Sequence, residues 1–84
     1  MKQRALITGI AGFVGLHLAE HLSVSGDQVL GCDLTGVWPS HAPKSVRENA
    51  AIFPWRLGEE AEPNSEYVQM LEEFSPTVVY HLAA

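Results

Sequence analysis

Gly9, Gly12 and Gly15 stand three residues apart directly after the apolar run Ala5-Leu6-Ile7-Thr8. That spacing suits a strand turning into a helix that holds phosphate by its backbone. Gly9 falls where the chain leaves the strand and reverses, a turn for which a residue lacking Cβ can adopt positive φ. A bare Gly12 leaves a pyrophosphate free to approach the N–H groups at the start of the helix, where a side chain would stand in between. Gly15, one turn into the helix, allows close packing against the first strand. Asp33 ends the apolar stretch Val29-Leu30-Gly31-Cys32, eighteen residues beyond Gly15, and its carboxylate is placed to accept hydrogen bonds from the ribose hydroxyls of an adenosine. The set implies a dinucleotide, and an acid at 33 favours NAD over NADP, whose 2′-phosphate it would repel. A glycine turn that binds nothing is the competing reading. The order of strand, glycine turn, amphipathic helix, second strand and terminal acid favours the ligand.

The elements that must position these residues form an alternating α/β pattern. Residues 4 to 8 read as a strand buried on both faces, as a parallel sheet covered by helices requires. A helix is expected after Gly12, with Val14, Leu18 and Leu22 on one face and His17, Glu20 and His21 largely on others, ending at Ser25-Gly26-Asp27. Residues 28 to 33 supply the second strand of a βαβ crossover. Gly36, Pro39 and Pro43 break up the segment from Leu34 to Ala50 into a loop with one short helix over Lys44 to Asn49. Ala51 to Trp55 reads as a third strand, at the sheet edge because Pro54 cannot donate a ladder hydrogen bond. Pro63-Asn64-Ser65 opens another helix with Asn64 as N-cap, Glu66 in the first turn and a buried stripe of Val68, Met70, Leu71 and Phe74. Pro76 stops that helix, and Thr77 to Leu82 form a fourth strand.

Composition narrows the partners. Five basic against ten acidic residues give a net charge of −5, which argues against a nucleic-acid partner. A small phosphorylated cofactor held by backbone amides needs no basic surface. No apolar run is long enough to span a bilayer, and Met1-Lys2-Gln3-Arg4 leads straight into a core strand with no secretory signal pattern, so a cytoplasmic location is expected. Cys32 is the single cysteine and reads as a small buried strand residue. The 84 residues are read as one domain with neither repeats nor linkers.

Thr8-Gly9-Ile10-Ala11-Gly12-Phe13-Val14-Gly15-Leu16-His17-Leu18 resembles the opening TGxxGFxG fingerprint of the extended short-chain dehydrogenase/reductase family, the NAD-dependent epimerases and dehydratases of nucleotide sugars. His81-Leu82-Ala83-Ala84 is similar to that family's fourth-strand HLAA signature, so the resemblance covers essentially the whole chain. It implies a truncated Rossmann-like parallel sheet of order 3-2-1-4 with helices on both faces. It also implies that Gly9, Gly12, Phe13, Val14 and Gly15 serve the pyrophosphate turn and Asp33 the adenosine ribose. Leu82, Ala83 and Ala84 would pass beneath the phosphates and the nicotinamide ribose. Two positions depart from the family pattern: Arg56-Leu57 replaces an Asp-Leu or Asp-Ile pair whose acid reads adenine, and Thr77 replaces an Asp before the fourth strand. The family's catalytic Tyr-x-x-x-Lys pair does not occur, since neither Tyr67 nor Tyr80 is followed by lysine four positions later. No catalytic residue is therefore assigned, and the chain is expected not to turn over substrate alone.

Other conspicuous residues receive plainer readings. His17-Leu18-Ala19-Glu20-His21 has the H-x-x-E-H spacing of inverted zinc peptidases. It lies on the helix after the phosphate turn, where the resemblance itself expects a histidine at 17, so no metal site is assigned. His81 reads as a strand residue near the cofactor crevice, Glu59-Glu60-Ala61-Glu62 as a solvated loop, and Trp38 and Trp55 as core or edge packing. In the order 3-2-1-4 the fourth strand is an unguarded apolar edge. The expected partner there is a second copy, through paired fourth strands or uncovered helix faces, or else a complementing polypeptide.

Overall fold

The computed structural model describes residues 2–55 and 65–82. Four parallel strands, β1 (Arg4–Thr8), β2 (Gln28–Asp33), β3 (Ala50–Pro54) and β4 (Val78–His81), lie in the order β3-β2-β1-β4. Helices α1 (Phe13–Val24), α2 (Lys44–Asn49) and α3 (Ser65–Phe74) make the crossovers. This is the expected α/β Rossmann-like topology, with β3 at one edge and β4 at the other.

Alternation along each strand sends neighbouring side chains to opposite faces. Ala5, Ile7 and Val29 join Leu16, Ala19 and Leu22 of α1 and Val46 of α2 in one cluster. Leu6, Leu30, Cys32 and Phe53 form the other, beneath Tyr67, Met70, Leu71 and Phe74 of α3. Because both faces are covered, β1 and β2 are buried almost throughout. On β4, Val78 and Tyr80 pack against the α1 side, but Val79, facing the α3 side, is 56% exposed.

Several details differ from the sequence reading. The buried face of α1 is Gly15, Leu16, Ala19 and Leu22, with Leu18 half-buried, and Val14 is 61% exposed. The cause is the approach of α1 to the glycine turn, which rotates Gly15 inward and Val14 outward. β3 runs one residue earlier than expected, at Ala50–Pro54, and β4 is confined to Val78–His81. Tyr67, rather than Val68, completes the α3 stripe over the second cluster, its ring tilted against that of Phe53 with centroids 5.1 Å apart. Trp38 packs against the first cluster and Trp55 against the second, both in structural roles. Thr77, where the family pattern has an acid, ties the start of β4 to that of β1. Its hydroxyl accepts the Arg4 N–H at 3.0 Å, and its own N–H donates to the Arg4 carbonyl at 2.8 Å. The expected N-cap Asn64, the Arg56-Leu57 pair and the acidic stretch at 59–62 lie outside the described residues.

Candidate phosphate-turn site

In register, Thr8 of β1 stands beside Cys32 of β2 on one side and His81 of β4 on the other. The carboxyl ends of three strands thus meet where the connections diverge to opposite faces, the crevice in which open α/β sheets take ligands. The turn between β1 and α1 rises from this rim. Gly9 has φ 74°, a left-handed conformation that disfavours side chains.

The turn is fastened to the end of β2 by three successive amides. Gly9 N–H donates to the Cys32 carbonyl at 2.9 Å, Ile10 N–H to the same oxygen at 3.3 Å, and Ala11 N–H to Asp33 Oδ2 at 2.9 Å. Asp33 Oδ1 accepts the Leu34 N–H at 2.8 Å. Gly12 N–H closes the turn on the Gly9 carbonyl at 3.2 Å, and Leu16 N–H makes the first helical bond, to the Gly12 carbonyl at 2.9 Å. Phe13, Val14 and Gly15 therefore carry amides with no protein acceptor among the described residues. Gly12, the N-cap, supplies no side-chain cap, and the first turn of α1 holds no acid. Three unpaired donors at the positive end of a twelve-residue helix are chemically suited to donate hydrogen bonds to an anion.

The glycines divide their work. A Cβ on Gly15 would lie 2.4 Å from the Gly9 carbonyl oxygen and 2.7 Å from Ile10 Cα. Gly15 is thus required by close approach of the helix to the turn itself, just beyond the first strand. A Cβ on Gly12 would meet only the Gly9 oxygen, at an ordinary 3.4 Å. The fold alone does not demand glycine there.

Sequence reasoning passed over Ile10 and Gly31. Ile10 is fully buried, and its side chain fills the space a Cβ on Gly31 would need, 2.2 Å from Ile10 Cδ1. One apolar residue inside an otherwise small-residue turn was the available signal: it plugs the turn into the core. Thr8 was missed as well. Its buried hydroxyl lies 2.7 Å from His81 Nδ1 and accepts the Leu82 N–H at 3.1 Å, joining the ends of β1 and β4. The structure thus brings Gly9, Gly12, Phe13, Val14, Gly15 and Asp33 together on one side of the rim and places Leu82 across it. Ala83 and Ala84 lie outside the described residues.

The remaining residues take structural parts. Burial, reinforced by the neighbouring Asp33 carboxylate, pushes the Cys32 thiol up to about 11. His17 meets Phe13 edge-on with centroids 4.5 Å apart. Both border a cleft of about 170 Å³ completed by Leu16, His41 and Pro43. Among the described residues no helix is long and apolar enough to cross a membrane.

Comparison with known proteins agrees with this geometry. The GDP-mannose 4,6 dehydratase family profile matches residues 6–84. A UDP-glucose 4-epimerase from Mycolicibacterium smegmatis is 33% identical over 96% of this chain and 25% of its own length. A UDP-N-acetyl-alpha-D-glucosaminuronate decarboxylase from Bacillus cytotoxicus is 37% identical over the whole chain and 24% of its own length. The crystal structure of the Bordetella bronchiseptica enzyme WbmG in complex with NAD and UDP superimposes with a TM-score of 0.71 at 25% identity, covering 100% of this chain and 26% of that one. The chain spans about a quarter of the length of the relatives it matches. With the glycine turn, the parallel order and the family match in agreement, the chain belongs to the extended short-chain dehydrogenase/reductase family of nucleotide-sugar epimerases and dehydratases, corresponding to its N-terminal part.

Proposed function

We propose that residues 1–84 form a partial Rossmann dinucleotide-binding domain that takes NAD(H) and does not catalyse alone. The observation that carries this reading is the row of unpaired Phe13, Val14 and Gly15 amides at the start of α1, beside the Asp33 carboxylate. The amides receive the pyrophosphate, Gly9 and Gly12 shape and clear the space, and Asp33 takes the adenosine ribose. Leu82 runs beneath the phosphates and the nicotinamide ribose. The absence of a Tyr-x-x-x-Lys pair from these residues supports the non-catalytic part. A cytoplasmic site of action, where NAD is abundant, goes with this reading.

Among the described residues the outer edge of β4 is unpaired, which supports a partner. Val79 on the α3 face of β4 and Leu82 just after it are 56% and 40% exposed, and unpaired strand edges invite further pairing. A second copy across a two-fold axis is the simplest occupant, and a polypeptide supplying the catalytic half is the other.

Calorimetric titration of the 84-residue chain with NAD and NADP tests the reading. NAD is expected to bind at least about tenfold more tightly, because a 2′-phosphate would face the Asp33 carboxylate and like charges in contact are costly. No heat with either coenzyme overturns it. Sedimentation of the same samples reports on the β4 edge, and a compact monomer at all concentrations removes self-pairing.

A further inference from the structure

We propose that Asp33 is a positioning residue for the phosphate turn as well as a ribose acceptor, so that one side chain governs both halves of the adenosine diphosphate site. This rests on the reading of the turn as a dinucleotide site. The carboxylate bonds two backbone amides from different segments. Oδ2 accepts from Ala11, twenty-two residues away in the turn, and Oδ1 accepts from Leu34 in the loop after β2. Each oxygen keeps a second lone pair, and those two remain for vicinal ribose hydroxyls.

The Ala11 bond is the last of the three that fix the turn, and the only one made by a side chain. Gly9 and Ile10 are held by the Cys32 carbonyl, which no substitution removes. Ala11 and Gly12 immediately precede the unpaired amides, so the direction in which Phe13, Val14 and Gly15 present their N–H groups is set by the Asp33 anchor. The consequence concerns specificity. Exchanging Asp33 for a small neutral residue, the obvious way to admit a 2′-phosphate, also releases the turn that grips the pyrophosphate. Affinity for NADP then fails to rise to the level that NAD had.

Amide hydrogen exchange, with titration by inorganic pyrophosphate and by NAD, tests this on the wild type, Asp33→Ala and Asp33→Asn. Pyrophosphate has no ribose, so losing a residue that only reads ribose leaves its binding unchanged or, through the removed negative charge, stronger, never weaker. In Asp33→Ala the Ala11 amide is expected to exchange about tenfold faster or more, the lower limit for loss of a charge-assisted hydrogen bond, while Leu6 and Leu30 stay protected. Pyrophosphate affinity is expected to fall alongside NAD affinity. Asp33→Asn keeps one carbonyl acceptor and is expected to protect only one of the Ala11 and Leu34 amides, with an intermediate loss of pyrophosphate binding. If Asp33→Ala also deprotects Leu6, the Asn variant carries the comparison. Unchanged Ala11 exchange, or pyrophosphate affinity unchanged or raised with NAD binding lost, overturns the inference. Wild-type protein that binds neither ligand removes the proposed function and the phosphate half of this inference, while the exchange comparison still accepts or rejects the anchor.

Discussion

Substitution of Gly15 by alanine sets two opposing effects against each other, and the structure decides between them. In an open helix interior, alanine is favoured over glycine by about 1 kcal/mol. Here the new Cβ would sit 2.4 Å from the Gly9 oxygen and 2.7 Å from both Cα and the carbonyl oxygen of Ile10. The first of these is about 1 Å inside the 3.4 Å at which Cβ contacts become ordinary. All three neighbours are backbone atoms, and the turn they belong to is pinned by the Cys32 carbonyl and plugged by the buried Ile10 side chain. Relief therefore requires α1 to lift away from the turn, and overpacking of this kind costs roughly 1–3 kcal/mol or more. The clash exceeds the propensity gain. Gly15→Ala is expected to lose about 1–2 kcal/mol of stability, lowering the urea midpoint at an unchanged slope. Gly12→Ala is the control, because its Cβ meets only the Gly9 oxygen at 3.4 Å and φ there is −75°. The loss of a good N-cap residue and the reduced freedom of the unfolded chain nearly offset each other, so its stability should stay within about 1 kcal/mol of wild type. NAD binding should nevertheless fall, since the methyl group intrudes on the ligand's space. A Gly15→Ala variant as stable as the wild type, with unshifted Ile10 and Ala11 amide resonances, would refute the close-approach argument.

Two further outcomes follow from the core beneath the turn. Gly31→Ala drives a Cβ into Ile10, 2.2 Å from Cδ1 and 2.6 Å from Cβ, and is expected to destabilise by about 1–3 kcal/mol; adding Ile10→Ala should recover part of that loss, and strict additivity in the double-mutant cycle would show that the two sites do not touch. The Cys32 thiol, raised from 9.0 to about 11 in the fold, favours the native state while it is protonated. Its contribution is complete below pH 9 and is lost as pH rises from 9 through 11. Cys32→Ala should flatten that part of the stability profile, and iodoacetamide should label native Cys32 slowly at neutral pH but rapidly once the chain unfolds. Fast labelling under native conditions would contradict its burial.

Much of this molecule was legible in one dimension because the relevant signals are local. The apolar blocks, the prolines at 54 and 76, the short helix at 44–49 and the glycine spacing each act on a few neighbouring residues through backbone sterics or alternating burial. The fourth strand was legible in its β-branched apolar run, and the strand order followed from the family resemblance carried by a motif near each end of the chain. What the linear order did not contain was the consequence of two segments approaching each other. Val14 reads as apolar and belongs to the expected face, yet the tight contact between Gly15 and the turn rotates α1 and leaves Val14 in solvent. Gly31 is a glycine because Ile10 fills its space, and Asp33 bonds Ala11, twenty-two positions earlier. Local residue types thus determined which elements form and where the glycine turn lies. Packing between residues distant in sequence decided which amides of the turn are already taken, those of Gly9, Ile10 and Ala11, because a donor's availability depends on every acceptor that the fold brings within reach.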